Sequence, residues 1–300
     1  MRMHIALSLG LVLAGLDATS ASATSISAAT ILQDFNAVIY KNGSTSSDIE
    51  GAAVFGGNFT GATIYNNPTS SLPTGYGALT VFGSTSGNSI NLNDGGSAYV
   101  AGTKGAQVNF NGGGSYLGAP ANTIADFQTA LNSLSSSLSF LAATGALPTP
   151  ANNEVIKAMP NAAGIAVFNV SAADLAAISS YNINLNGAKT VVFNVSGPSV
   201  TFAANDESGT TGANNIIWNF YQATSVNLVD QIAGTVLATN ASVTNGNQID
   251  GGLFANSWSG QGELHDYGFT GILPIPEPAS LILLGAGLVA LGLVRRRARR

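Results

Sequence analysis

Six acids and one histidine are the residues of this chain whose types and spacing could do chemistry. Glu263, His265 and Asp266 fall within Gly262-Glu263-Leu264-His265-Asp266, and two close carboxylate pairs stand elsewhere, Asp48 with Glu50 and Asp206 with Glu207. A Ser-His-Asp triad needs an imidazole as its base, and His265 is the one histidine apart from His4. On a strand, Glu263 and His265 share one face while Asp266 takes the other, so the three do not converge. A metal centre would need further ligands, and no second His and no Cys exists in the body, so neither a metal nor a cofactor is expected. The stretch reads as an exposed polar strand near the C-terminal edge. Glycoside hydrolysis needs only two carboxylates flanking a sugar. Asp48 and Glu50, two apart, would lie on one strand face, whereas Asp206 and Glu207 sit in Asn205-Asp206-Glu207-Ser208-Gly209, which reads as a loop of solvated acids, with weak calcium binding as a lesser reading. Proton abstraction from a polysaccharide needs a base, and between the two ends of the chain only four lysines and no arginine stand ready. The expectation is a non-enzymatic protein; the alternative is a carbohydrate-active enzyme that uses paired carboxylates on exopolysaccharide.

The elements that would position these residues follow from composition and pattern. Between Thr24 and Ile275, Lys41, Lys104, Lys157 and Lys189 oppose thirteen acids, a net charge of minus nine hidden beneath the whole-chain value of −5. Without clustered Lys or Arg there is nothing to neutralise phosphates, so nucleic acid is excluded as a partner. Cysteine is absent, so packing and backbone hydrogen bonds must hold the fold. From Ile31 to Gly114, short apolar or alternating segments recur between glycine and asparagine punctuation: Ala52 to Phe55, Gly61 to Tyr65, Ala78 to Phe82, Ser89 to Leu92, Ala98 to Ala101 and Ala106 to Phe110. They predict strands of four or five residues, which can close into a sandwich, a barrel or a solenoid; no fixed repeat period is visible.

Pro120 to Gly145 follows another rule. Ile124, Phe127, Leu131, Leu134, Leu138 and Leu141 recur at steps of three and four, which predicts one long amphipathic helix over about 122–144, capped by Asn122 or Thr123 and ended by Gly145 and Pro148. Such a helix needs a flat apolar partner, and the β body is the one at hand. After a proline-bounded loop from Pro148 to Pro160, strands resume at Gly164 to Val170, Lys189 to Val195 and Ser199 to Ala203. A short helix capped by Ser171, with Asp174 in its first turn, lies between the first two. Asn214 to Gly271 is again β, with Ile216-Ile217-Trp218-Asn219-Phe220 its most hydrophobic piece.

Both ends read as targeting segments. Arg2 and His4 precede an apolar run, Ile5 to Leu16, and Ala21-Ser22-Ala23 offers small residues to a signal peptidase, so 1–23 is expected to be a signal peptide cleaved before Thr24. At the other end Leu281 to Val294 is apolar all round, within an expected transmembrane segment over 279–294. Its fourteen residues cover roughly 21 Å, short of the roughly 30 Å hydrocarbon layer, which makes a weak permanent anchor. Arg295, Arg296 and Arg297, with Arg299 and Arg300, would stay cytoplasmic and leave the body outside. Pro276-Glu277-Pro278, the apolar span and the terminal arginines together resemble the PEP-CTERM sorting signal, here spanning 272–300. The resemblance implies that an exosortase recognises the Pro-Glu-Pro element, removes the tail and releases the body to the cell surface or an extracellular matrix.

A second resemblance covers Ile31 to Gly271. DFNAVIY (Asp34 to Tyr40), DIEGAAVFGGNF (Asp48 to Phe59), IIWNFYQATSVNL (Ile216 to Leu228), GTVLATNASV (Gly234 to Val243) and QIDGGLFANSWSGQGELHDYGFTG (Gln248 to Gly271) occur in this order and resemble the choice-of-anchor A domain, a bacterial surface module. It implies a predicted adhesive domain over 24–271, with a β-solenoid-like fold, a discontinuous β-helix, and a helix laid alongside. No catalytic residue is established for that family. At Thr239 many of its members carry proline. Within these motifs Gly51, Gly56, Gly57 and Asn58 read as corner residues, and Asn219, between Trp218 and Phe220, as one that stacks with other asparagines. Glu263 and His265 complete the motif residues. Tyr65, Tyr76, Tyr99 and Tyr116 could stack on the sugars of an exopolysaccharide, though tyrosines at turns more often pack. Ice binding would want regular Thr-x-Thr ladders, and none is apparent in the sequence.

Overall fold

The computed structural model describes residues 25–148 and 153–274. Every strand pair among them is parallel, and successive coils stack in register, so Ala37 lies beside both Ala53 and Leu253, and Phe193 beside both Phe168 and Trp218. Three strips of strand make the walls of a β-solenoid. The first wall runs in the order Ile165–Ser171, Thr190–Ser196, Ile216–Asn219, Thr235–Asn245, Leu253–Gly260, Ala37–Ile39, Ala53–Phe55, Leu79–Val81, Ala98–Val100.

That order departs from chain order at one place, which makes the solenoid discontinuous. The first coil sits in the middle of the stack, flanked by the second coil on one side and the last on the other. The chain builds away from this seam to Ala98–Val100 and crosses to the far end through a helix. It then builds back from Ile165–Ser171 until Leu253–Gly260 closes on Ala37–Ile39. Coil length explains why no repeat period shows in the sequence. Stacked partners stand 25 residues apart at Asn194 and Asn219, 17 at Asn227 and Thr244, and 18 at Asn91 and Asn109. The turns absorb the difference while the walls keep register.

Two apolar layers result. Inside the solenoid, side chains of like shape stack from coil to coil, as in Phe168, Phe193 and Trp218, whose rings lie 5.0 and 4.1 Å apart and nearly parallel. On the outer side of the first wall, Val38, Val54, Val167, Val192, Ile217, Leu237 and Phe254 form a second layer beneath two helices. The helices are α1 (Ala28–Asp34), capped by the Ser27 hydroxyl, and α2 (Ile124–Ser139), which buries Phe127, Leu131, Leu134 and Leu138. Strands covered on both faces carry continuous apolar runs rather than alternation, as in Ile216-Ile217-Trp218.

The long amphipathic helix is present where expected but shorter. Thr123 caps it through a capping box with Asp126, and it stops at Ser139. Leu141 keeps its place in the apolar layer, yet Thr144 and Gly145 donate to the carbonyl of Val167 and so cover the open edge of the end coil. That edge takes the backbone out of helix before Gly145 is reached. A short α3 (Ala172–Ala176), capped by Ser171 with Asp174, matches the reading above. Three features differ from expectation. Glu154–Lys157, inside the supposed proline-bounded loop, and Ser180–Asn184 are strands of the third wall, and Asn205–Asp206, read as loop, is a strand beside Ser180 and Tyr181. Each is two to five residues long and gains its conformation from in-register neighbours rather than from its own pattern. No helix among the described residues is long and apolar enough to cross a membrane. The expected signal peptide (1–23) and transmembrane segment (279–294) lie outside the described residues.

Candidate functional site

The first wall lies beneath the helices; the second carries no such cover and no charge, and it is the candidate site. Its strands alternate strictly. Val200, Phe202, Val226, Leu228, Val243, Trp258 and Phe59 point into the core, and the residues between them face out. Register then aligns the outward residues into two rows across the coils. Ser199, Ser225, Ser242 and Ser257 form one row; Thr201, Asn227, Thr244, Ser259, Ser44, Thr60 and Ser86 form the other. Neighbours sit about 4.8 Å apart along a row, and the rows lie about 6.6 Å apart. No member of either row is charged. The longer row is partly tied together by its own hydrogen bonds: Thr60 Oγ1 to Ser86 Oγ at 2.7 Å, Thr244 Oγ1 to Asn227 Oδ1 at 2.8 Å, and Ser44 Oγ to Ser259 Oγ at 3.4 Å. The result is a flat lattice of hydroxyl and amide groups.

Sequence reading missed this surface. The signal was there as Ser199-Val200-Thr201, Ser225-Val226-Asn227, Ser242-Val243-Thr244 and Ser257-Trp258-Ser259. A search for Thr-x-Thr passes over it, because serine and asparagine stand at positions that coil-to-coil stacking treats as equivalent.

Asparagine and glycine residues at the corners hold successive coils together. Asn42 Oδ1 accepts from the Asn58 amide, Asn58 Oδ1 from that of Ser84, and Ser84 Oγ from that of Thr103, a stack in which each side chain holds the next coil. A Cβ on Gly56 would run into the Tyr40 carbonyl and Ile124, and one on Gly57 into Asn42 and Lys41, because the strands leave the first wall there in close contact. Gly51 has the same constraint against Asn36 and Asp266. Beneath α2, Asn219 Nδ2 donates to the Ser135 carbonyl and to Asn194 Oδ1, both at 2.9 Å, and Asn194 Nδ2 donates to the Leu138 carbonyl at 2.7 Å and to Asn169 Oδ1. Trp218 Nε1 donates to the Ala233 carbonyl from within the core. Thr239 and Asn240 lie where Thr235–Asn245 slips register against Leu253–Gly260, between Ala238 and Ser242.

The acidic residues meet on the third wall, at the seam. Glu263 and His265 flank the inward Leu264 on one outer face, as expected, but the strand is not at an edge: Leu264 pairs with Ile49 of the first coil. Glu50 thereby joins them, and one ligating atom from each of Glu50, Glu263 and His265 lies within 4.8 Å of the others. His265 Nδ1 stands 2.5 Å from Asp250 Oδ1, and Nε2 stands 3.4 Å from Glu263 Oε2. Burial pushes the imidazole's pKa down, but the Asp250 hydrogen bond and the charges of Asp250, Glu50 and Glu263 outweigh it and hold His265 above its ordinary value. Burial lifts the Asp250 carboxyl too, against the pull of the imidazole. Asp266 is buried, with its pKa raised by desolvation despite accepting from the Thr69 and Ser70 amides. Asp206 faces inward to Tyr181 while Glu207 is exposed, so that pair does not flank a common site. Tyr76 packs against Phe35 and Phe127 and donates to Asn122, whereas Tyr116 lies exposed under the Lys104 ammonium. The sorting residues Pro276, Glu277, Pro278 and Arg295 to Arg297, and the cleavage residues Ala21 and Ala23, lie outside the described residues.

Three solved structures are similar to this chain at low identity. An ice-binding protein from an Antarctic biological consortium is 12% identical, with a TM-score of 0.38, and the match covers 88% of this chain and 95% of that one. An ice-binding protein from the Antarctic ascomycete Antarctomyces psychrotrophicus is 13% identical, TM-score 0.37, over 78% of this chain and 95% of that one. One from an Antarctic Flavobacteriaceae bacterium is 14% identical, TM-score 0.36, over 79% and 78%. No curated protein matches the sequence. Residues 274–300 match the PEP-CTERM protein-sorting motif, the mark of an exported cell-surface protein. Residues 28–266 match the family described as "Putative Ice-binding-like adhesive domain", and the chain belongs to that family.

Proposed function

We propose that this protein is an exported adhesin that holds uncharged polysaccharide through the open hydroxyl wall. The observation that carries the reading is the pair of in-register rows, an uncharged lattice left bare while the first wall is covered by helices. A polysaccharide chain offers hydroxyls at regular intervals, and many weak hydrogen bonds made at once on a rigid lattice add up without a pocket. The expected route is a signal peptidase cut after Ala23, transient membrane anchoring by 279–294, and removal of the tail by an exosortase at Pro276-Glu277-Pro278. The body would then lie on the surface or in a biofilm matrix, as a choice-of-anchor A module. Mass spectrometry of the natural protein's C-terminus tests that route: an intact arginine tail on the surface form refutes it.

Adhesion is tested by incubating the mature protein with the host's own exopolysaccharide and pulling the polymer down. Retention is expected, with Ser242→Lys plus Thr244→Lys lowering it about tenfold while the melting temperature stays put. No retention at any salt overturns the reading. Ice is the second reading, favoured by the two-dimensional regularity of the wall. Against it, only Thr201, Thr244 and Thr60 among the outward residues carry methyl groups, and serines and asparagines compete for liquid water as donors. A freezing-hysteresis assay decides between the two.

A further inference from the structure

We propose that Glu50, Glu263 and His265 form a zinc-type divalent metal site that clamps the first coil to the last. The three residues come from opposite ends of the fold. Glu50 follows the strand Gly43–Thr45, while Glu263 and His265 lie at the other end of the body, and they meet only because the chain's last coil closes on its first. Two atoms bound to one tetrahedral zinc at about 2.1 Å each stand about 3.4 Å apart. His265 Nε2 and Glu263 Oε2 are separated by 3.4 Å. The Glu50 carboxylate has an oxygen within 4.8 Å of both. Its other features suit a ligand: it is half-buried, and its Oε2 accepts from the Asp266 amide at 3.0 Å.

The second and independent feature is Asp250. Its side chain is 4% exposed and lies against His265 Nδ1. A buried carboxylate on Nδ1 fixes the tautomer, so the Nε2 lone pair points outward at Glu263, and metal-bound histidines receive the same support from a carboxylate or carbonyl on their far nitrogen. A histidine serving only as a counter-ion to Glu263 would need no such buried partner behind it. Charge favours a cation as well. Glu50, Asp250 and Glu263 face one imidazole, and no lysine forms an ion pair with any of them among the described residues. The three ligands are each half-buried, which leaves an approach for the ion and room for water as the fourth ligand. One imidazole with carboxylates suits zinc and its first-row neighbours better than calcium, which takes six to eight oxygens.

The test uses the full chain in detergent, stripped with a chelator and titrated with zinc chloride in a calorimeter. One zinc per chain is expected, with a raised melting temperature and slower hydrogen exchange at Ala37–Ile39 and Leu253–Gly260. Calcium chloride is expected to give no heat. Glu263→Gln and His265→Gln each abolish the binding, and Asp250→Asn weakens it about 10–100-fold. Because Asp250→Asn disturbs a buried group, Glu50→Gln, at a half-exposed position, serves as the gentler variant and should lose zinc affinity while melting as the stripped parent does. Absence of zinc binding at millimolar concentration, or equal binding by the Glu50→Gln, Glu263→Gln double variant, overturns the proposal. Failure here leaves the adhesion reading untouched, since the site lies on another wall.

Discussion

Replacing Asn219 by alanine should undock α2 more than any other single change beneath it. The amide is fully buried and makes three hydrogen bonds: it donates to the Ser135 carbonyl and Asn194 Oδ1, and accepts from Ser135 Oγ at 2.6 Å. Alanine leaves the Ser135 hydroxyl and Asn194 Oδ1 buried without this partner, and each such group costs about 1–3 kcal/mol. The serine can turn its hydroxyl to a carbonyl one turn earlier in the helix, so the expected loss is about 2–4 kcal/mol. Urea denaturation followed by tryptophan fluorescence reads it, since Trp218 is the preceding residue and wholly buried. The midpoint should fall with the slope unchanged. A cycle with Ser135→Ala separates the bond from the cavity. If the pair acts together, the double variant loses less than the sum of the singles by about 1 kcal/mol or more. A loss below about 1 kcal/mol for Asn219→Ala, or additivity within about 0.5 kcal/mol, would refute the claim that the amide ladder pins the helix.

Asn36 should matter as much at the seam, where its side chain donates to the carbonyls of Gly251 and His265 and accepts from the Gly51 amide; Asn36→Ala is expected to cost about 2 kcal/mol or more and to open the seam to protease. Gly56→Ala meets backbone at the Tyr40 carbonyl and should cost about 1–3 kcal/mol in thermal melts, while the same change at Gly113, with open space around it but φ +105°, tests backbone strain alone. Alkaline pH should unfold the protein through its tyrosines. Burial raises Tyr181 well above its usual 10.0, aided by the Asp206 carboxylate, and burial with Asp126 lifts Tyr76 to about 12. The unfolded chain therefore loses phenolic protons first, and stability holds below about pH 10 and falls as pH rises beyond it. In absorbance titration of the native protein Tyr181 should stay silent at pH 11; a full phenolate signal without unfolding would contradict its burial.

Much of the fold was legible where a residue's own neighbours decide its state. Ile216 to Phe220 is apolar on both faces because it is covered on both, and the spacing of Phe127, Leu131, Leu134 and Leu138 marks a helix laid on something flat. Strands of two residues were not legible. Asn205–Asp206 has no pattern of its own and is extended because Ser180 and Tyr181 present a ladder to it. The candidate sites were hidden for the same reason in a stronger form. Glu50 and His265 belong together only through a closure between chain ends, and Ser242 and Ser257 form a row only because unequal coils stack in register.

The helix that ties the two halves also decides which surface is left to work. The stack grows outward from a seam in its middle, so the chain must travel from one end to the other, and α2 makes that journey along the first wall. The first wall is capped at both ends: Ser115 to Leu117 bonds Ala98 at one end, and Thr144 with Gly145 bonds Val167 at the other, which blunts those two strand edges. The third wall collects the acids and is interrupted by turns of varying length. Only the second wall stays flat, uncharged and bare, and its inward partners are among the bulkiest of the core, with Trp258 held through Nε1 to Asn245. A rigid backing beneath small hydroxyl side chains keeps the outward groups on their lattice at little entropic cost, because serine and threonine have few rotamers to lose. A surface of lysines or glutamines in the same register would lack that property, which is a physical reason for the wall's composition to be read as a contact surface rather than as ordinary solvent-facing strand.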